Sequence, residues 1–113
     1  MTQSKIRFSD RALLDLERLT DFLMESDPAV AIETVPLILD AIAILAIHPA
    51  IGRRVNPDEI PRGAQAAQLR ELVISRGRAG YVALYSVERL EDRILIHAIK
   101  HQREAGYPDQ LDP

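Results

Sequence analysis

The stretch "AQLRELVISRGRAGYVALYSVERLEDRILIHAIK", Ala67–Lys100, decides the fold of this chain. It holds three runs rich in β-branched and aromatic residues: Ala67–Ser75, Gly80–Glu88 and Asp92–Lys100. Each is long enough for a strand and ends at turn-forming or charged residues. The links, Ser75-Arg76-Gly77-Arg78-Ala79 and Arg89-Leu90-Glu91, are short enough for hairpins. The sequence therefore predicts an antiparallel meander.

Upstream the period changes from two to that of a helix. In "SDRALLDLERLTDFLMES", Ser9 or Asp10 can cap a helix start. Ala12, Leu16, Leu19 and Leu23 recur at helical spacing, with Leu13 and Phe22 widening the apolar stripe. Asp27 caps a second helix and Pro28 fits its first position. Ile32, Val35, Leu39, Ile42 and Leu45 or Ala46 form its expected apolar face. Pro36 interrupts it, because an interior proline removes a backbone hydrogen bond and crowds the preceding turn. A kink near Val35, or two short helices, is expected. A short strand, Lys5–Ser9, precedes both helices, and residues 49–66 form a long loop with three prolines and two glycines. The order strand, helix, helix, strand, strand, strand predicts a single α+β domain over residues 1–113, with a helical hairpin packed on a small antiparallel sheet.

Composition narrows the function classes. The chain has 113 residues, 47% of them hydrophobic, so it can bury one core. With no cysteine, disulfides and thiolate metal sites are excluded. The N-terminus shows no secretory signal, and Glu33, Pro36 and Asp40 argue against a membrane span at Ala29–Ile47. No membrane association is expected. The formal charge is −3, but it is unevenly spread. Residues 1–48 carry four basic and eight acidic side chains; residues 53–78 carry Arg53, Arg54, Arg62, Arg70, Arg76 and Arg78 against three acids. Arginine suits bidentate pairing with phosphate or carboxylate. The Arg-rich middle fits nucleic acid, an acidic protein partner, or simple solvation.

No Gly-rich phosphate loop and no HExxH are present. His97 and His101 lie four apart, which on a regular strand puts them on one face but too far apart to share a metal. No metal or cofactor is expected. The candidate chemistry lies where the last strand ends in Lys100, His101, Arg103 and Tyr107. Arg70 alternates with Leu72 and Ile74, so its charge needs a partner. Either it pairs locally with a carboxylate or strand-end carbonyls, or Arg70, His101, Arg103 and Tyr107 meet at one end of the sheet. That second arrangement could hold a phosphate, with His or Tyr moving protons. Tyr81 and Tyr85 share a strand face, as core or as a stacking platform.

Taken together, "FSDRALLDLERLTDFL", "AIAILAIHPAIGRR", "LRELVI", "GYVALYSV" and "ILIHAIKHQREAGY" resemble the RelE/ParE family of type II toxin–antitoxin toxins, over about residues 5–107. The resemblance implies a small cytoplasmic toxin neutralised by a cognate antitoxin, ParD-like or another small antitoxin. RelE-like members cleave messenger RNA on the ribosome; ParE-like members inhibit DNA gyrase and are not nucleases. RelE-like nucleases tend to carry an Arg in "GYRxxY", and here Val82 stands in its place. Tyr107 matches a C-terminal Tyr of the nuclease pattern, and His101 sits where nucleases place a basic residue. The branch favoured is therefore ParE-like. If the chain is an enzyme, it is an endoribonuclease using Arg70, His101, Arg103 or Tyr107. A non-toxic antitoxin-binding module is the third reading. The residues expected to meet a target or antitoxin are Arg53, Arg54, Arg70, Arg76, Arg78, Lys100, His101, Arg103 and Tyr107. The helices 10–26 and 28–47 and the Arg-rich loop are expected to be covered by an antitoxin whose contacting segment is partly acidic. A homodimer and a heterotetramer with antitoxin both fit.

Overall fold

A computed structural model describes residues 4–56, 58, 69–76, 79–102 and 104, with residues 75, 76 and 79 described as backbone only. Strand β1 (Lys5–Phe8) leads into helix α1 (Asp10–Ser26), then α2 (Pro28–Ala43), which tightens into a 3₁₀ turn at Ile44–Ala46. Strands β2 (Arg53–Arg54), β3 (Leu69–Arg76), β4 (Ala79–Glu88) and β5 (Arg93–His101) follow. The sheet order is β1-β5-β4-β3-β2. The predicted α+β class, with two helices on a sheet, is what the structure has. Its sheet is mixed rather than wholly antiparallel: β1 joins β5 in parallel, pairing Lys5 with Arg93 through Phe8 with Ile96. The two-residue β2, inside the expected loop, adds the other edge on β3.

Both helices begin where their caps demand. The Ser9 hydroxyl accepts from the Ala12 N–H at 3.1 Å and donates to the His97 carbonyl at 3.0 Å, so one side chain caps α1 and fastens it to β5. The Asp27 carboxylate accepts from Ala29 and Val30. It leaves a one-residue joint between the helices.

Helix α2 decides one expectation and corrects another. It runs through Pro36 as one helix rather than two short ones, and its buried face is Ala31, Thr34, Ile38 and Ile42, followed by Leu45. Ile32 and Leu39, expected inside, lie outside, and Ile32 is 70% exposed. Nearly every position of α2 is apolar, so periodicity alone gives the helix no clear direction. Pro36 supplies it. The proline is exposed, which leaves the unbonded Ile32 carbonyl, one turn back, on the solvent side. Ile32 and Leu39, at i−4 and i+3 from Pro36, share its side. By length and composition Pro28–Ala46 could cross a membrane, but its inward face packs into the core.

That core lies between helices and sheet. Ile38, Ile42 and Leu45 meet Ile74, Tyr81, Ala83, Tyr85, Ile94, Ile96 and Ile99. Each such aliphatic side chain contributes about 1.5–3 kcal/mol by leaving water. Tyr81 and Tyr85 are therefore core residues. A smaller cluster, Val55, Leu69, Leu84 and Ala98, covers the opposite face.

The register of β5 hides an irregularity. Tyr85 pairs with Ile96 while Leu84 pairs with Ala98, so His97 is an extra residue. Without this bulge, alternation from Ile94 and Ile96 would turn Ala98 and Lys100 into the core. With it, Ile99 enters the core instead and Lys100 turns away. The bulge also separates the histidines. His97 Nε2 lies 2.8 Å from Ser86 Oγ on the face away from the helices. The His101 ring meets core Tyr81 edge-on, with centroids 5.3 Å apart.

At the other end of the sheet, the chain leaving α2 is latched. Tyr85 Oη donates to the Pro49 carbonyl at 2.8 Å and accepts from the Gly52 N–H at 2.9 Å. Arg70 Nη1 donates to the Gly52 carbonyl at 2.8 Å. Gly52 is required for this approach: a Cβ there would lie 2.5 Å from Tyr85 Oη and 2.7 Å from the Glu71 carbonyl. Tyr85→Phe is predicted to strand the Gly52 N–H and the Pro49 carbonyl. Its cost should be about 1–3 kcal/mol in denaturant unfolding, and a loss below about 0.5 kcal/mol would show that the latch carries no load.

Candidate functional site

The polar end of β5 is built around a missing neighbour. Strand β1 stops at Phe8, opposite Ile96, while β5 continues to His101. Beyond Ile96, no described strand flanks β5 on its β1 side. Its N–H groups there need acceptors, and carboxylates supply them. Asp15 Oδ2 accepts the Ile99 N–H at 2.9 Å, and Glu104 Oε2 accepts the His101 N–H at 2.9 Å. Side chains from α1 and from beyond the end of β5 thus continue the sheet edge. On the opposite side of the strand end, the Gln102 N–H donates to the Gly80 carbonyl at 2.8 Å.

Asp15 is 4% exposed, on the inner face of α1. Its ion pairs run to Arg11 Nε at 3.4 Å and Arg18 Nη2 at 3.7 Å. Burial pushes its carboxyl above the ordinary carboxylate value, against the Ile99 N–H and the two arginines. Glu104 moves the other way. Its burial opposes ionisation, but hydrogen bonds from Arg18 and the His101 N–H outweigh it and hold the group below its ordinary value. Arg18 grips both Glu104 oxygens, Nη1 on Oε1 and Nη2 on Oε2, the latter at 3.2 Å. Lys100 Nζ reaches the Glu104 carbonyl at 3.4 Å.

The structure brings Lys100 and His101 together with Asp15, Arg18 and Glu104. Arg103 and Tyr107 lie outside the described residues, as do Arg78 and the side chain of Arg76. Arg70 does not join this cluster. It pairs with Tyr85 across the ladder, whereas His101 pairs with Tyr81, which is four residues or about 14 Å along β4. Its guanidinium is used on the Gly52 and Ala50 carbonyls, the local pairing with backbone that the sequence allows. Arg53 Nε pairs with the buried Glu71 at 3.2 Å, and Arg54 is exposed beside it on β2.

Sequence reasoning missed Asp15, Arg18 and Glu104. The available signal was Asp15 itself, one turn from Leu19 on the apolar side of α1 and at i+4 and i−3 from two arginines.

An open cavity of about 970 Å³ lies at the other end of the sheet, between Pro49–Ala50, Arg70 and the β4–β5 turn. Its lining carries Arg70, Arg89 and Arg93 against Glu88, Glu91 and Asp92. Arg93 is already paired with Glu88 and Glu91. The lining therefore shows no charge preference for a ligand.

With this geometry in place, known proteins supply the family. The family model for "ParE toxin of type II toxin-antitoxin system, parDE" matches residues 6–106. The chain belongs to the ParE toxin family. A relative named Toxin RelE3, from Caulobacter vibrioides, is 32% identical over 99 residues, covering 88% of this chain and 95% of the relative. The fold is shared with a solved structure titled as a chromosomal ParDE system from P. aeruginosa, with a TM-score of 0.67, 21% identity, and coverage of 87% of this chain and 95% of that one. It is also shared with a chain of the RelBE2 toxin–antitoxin complex from Mycobacterium tuberculosis, with a TM-score of 0.52, 21% identity, and coverage of 88% and 99%. This ParE-family toxin is thus a type II toxin of the RelE/ParE group.

Two predictions follow from the carboxylates. Asp15→Ala strands the buried Ile99 N–H and should cost about 1–3 kcal/mol more in denaturant unfolding than Asp15→Asn, whose amide oxygen can still accept it. Equal losses would mean that the hydrogen bond is idle. Glu104 has a lowered folded pKa, so its contribution to stability is present above the ordinary glutamate value and is lost as pH falls through the lowered one. The stability gap between wild type and Glu104→Gln should therefore be full at neutral pH and close on acidification, as followed by thermal unfolding across pH.

Proposed function

We propose that this toxin acts by binding rather than by cleaving RNA, with DNA gyrase as its target in the cytoplasm and a cognate antitoxin as its neutralising partner. The observation that carries the reading is Val82. It is 2% exposed, in the middle of β4, between Val73 on β3 and Lys100 on β5. The same face carries the apolar cluster Val55, Leu69, Leu84 and Ala98. At the position where the nuclease pattern places an arginine, a buried valine offers no donor to a developing phosphate charge. Loss of one such donor typically costs about 10²–10³ in rate. Lys100 and His101 keep an endoribonuclease as the second reading, since a cation and a base occupy consecutive positions at the strand end, on opposite faces of β5.

The antitoxin surface separates the helices from the arginines that the sequence grouped under one partly acidic segment. Helices α1 and α2 expose Leu14, Phe22, Ile32 and Leu39. Residues 10–46 carry eight carboxylates and two arginines, and both arginines pair with Asp15. The hairpin therefore presents apolar and acidic groups, which suit an apolar segment with basic flanks. An acidic segment suits the Arg53–Arg54 edge instead. Raising salt from about 0.1 M to about 1 M cuts the screening length from about 10 Å to about 3 Å. The antitoxin complex should weaken under this change yet persist, because apolar burial remains. Complete indifference to salt would contradict the charge matching.

Induction of the chain alone should arrest bacterial growth, with rescue by co-induction of the antitoxin. The purified chain should inhibit gyrase supercoiling and leave ribosome-bound messenger RNA intact. Ribosome-dependent cleavage without gyrase inhibition would overturn the proposal in favour of the nuclease. Normal growth with soluble, folded protein would favour an antitoxin-binding module without toxicity.

A further inference from the structure

Arg18 stands between two carboxylates that come from different parts of the chain. Asp15 lies one turn before it on α1, buried and committed to the Ile99 N–H. Glu104 lies past the end of β5 and is committed to the His101 N–H. The backbone closes the same turn, with the Glu104 N–H donating to the His101 carbonyl at 3.0 Å. Arg18 is the one cation that pairs with both carboxylates among the ion pairs of the described residues. Remove it, and Asp15 keeps Arg11 and Glu104 keeps the field of His101, but no described ion pair bridges the two carboxylates.

We propose that Arg18 is a positioning residue: by bridging Asp15 and Glu104 it holds the strand-end turn against α1 and sets the pose in which Lys100 and His101 are presented to the target. The proposal rests on the reading that this strand end is part of the toxin's acting surface. Three features carry it. The Arg18–Glu104 contact is a two-point fork, which fixes orientation as well as distance. Glu104 is tied at both ends of its residue, through its carboxylate to the His101 N–H and through its carbonyl to Lys100 Nζ, so moving it moves both neighbours. The inner latch from Asp15 to Ile99 retains Arg11 when Arg18 is lost, so the fold should survive while the turn swings free. Helix α1 also carries part of the exposed apolar surface, so whatever docks there sits on the helix that aims the strand end.

Lysine cannot reproduce a two-point fork, so Arg18→Lys should be intermediate between wild type and Arg18→Gln. The test induces wild type, Arg18→Gln, Arg18→Lys, Glu104→Gln and the double variant Arg18→Gln/Glu104→Gln, and counts surviving colonies. Thermal midpoints and the NMR ring-current shift that Tyr81 imposes on the His101 ring are measured in parallel. Loss of one charge-assisted contact should raise survivors about tenfold. The double variant should be no worse than either single one, since both break the same bridge. The His101 ring shift should move toward its free value, with every variant still folded at the growth temperature and the midpoint lowered only by the loss of the bridge.

A folded Arg18→Gln protein as lethal as wild type, with the His101 shift in place, overturns the proposal. So does a loss of lethality that merely tracks the thermal midpoint. If Arg18→Gln fails to fold, Glu104→Gln carries the same test from the other side of the bridge. Should wild type not arrest growth, the toxin reading fails on its own. The His101 shift then still decides whether Arg18 sets the pose: an unchanged shift in Arg18→Gln refutes it.

Discussion

The hydrogen bond from the Ile99 N–H to the Asp15 carboxylate is where helix and sheet become one structure. Strand β5 is an inner strand, yet β1 flanks only its first half. A buried strand cannot leave backbone donors empty without a cost of a few kcal/mol each. Here α1 and its cap rather than another strand supply the partners: the Ser9 hydroxyl donates to the His97 carbonyl, and the Asp15 carboxylate accepts from the Ile99 N–H. Glu104 continues the series at His101. The solution puts a carboxylate inside the protein, and that charge must be balanced. Arg11 and Arg18 balance it, and Arg18 extends the network to the surface.

This commitment shapes the outside as well. The helical hairpin has two arginines against eight acids, and both are spent, Arg11 on Asp15 and Arg18 on Asp15 and Glu104. What α1 and α2 show to a partner is therefore apolar side chains among carboxylates. The arginines that the sequence concentrates later in the chain are also partly occupied. Arg53 serves Glu71, and Arg70 serves the loop carbonyls that Tyr85 helps to gather. A count of basic residues overstates the charge available to a target. The strand end, with Lys100 and His101 held by Glu104, remains the place where polar groups are both ordered and near the surface.

Much of the fold was legible because local chemistry and global position agree. Ser9 and Asp27 mark helix starts by capping, and the three strand runs mark the meander by alternation. Where they failed, a tertiary condition decided. The bulge at His97 is invisible to alternation, because either parity of "ILIHAIKH" looks plausible until Lys100 must be kept out of the core. The face of α2 is ambiguous in an almost wholly apolar helix, and the exposed Pro36 resolves it. Asp15 looks like a surface acid on a helix of many acids; only the short length of β1 makes it an internal acceptor. The parallel pairing of β1 follows from where the helices end: the Ala46 carbonyl accepts the Ser4 N–H, so the chain returns to the end of the sheet where β1 begins and the third strand of the meander runs with β1, which a strand-by-strand reading does not register. Among the candidate site residues, Lys100 and His101 were found by their density at a strand end. Arg70 follows the local of its two sequence readings, on loop carbonyls; alternation along β3 gives its face but not its distance from His101, so the sequence left both open.

The central claim is that a side-chain carboxylate replaces a missing strand at β5. Hydrogen exchange of individual backbone amides tests it most directly. The Ile99 amide should exchange as slowly as those of residues bonded within the β4–β5 ladder, and Asp15→Ala should release Ile99 while leaving the β4-bonded amides of β5 protected. An Ile99 amide that exchanges at loop-like rates in the wild-type protein, or that is indifferent to Asp15→Ala, would contradict the account.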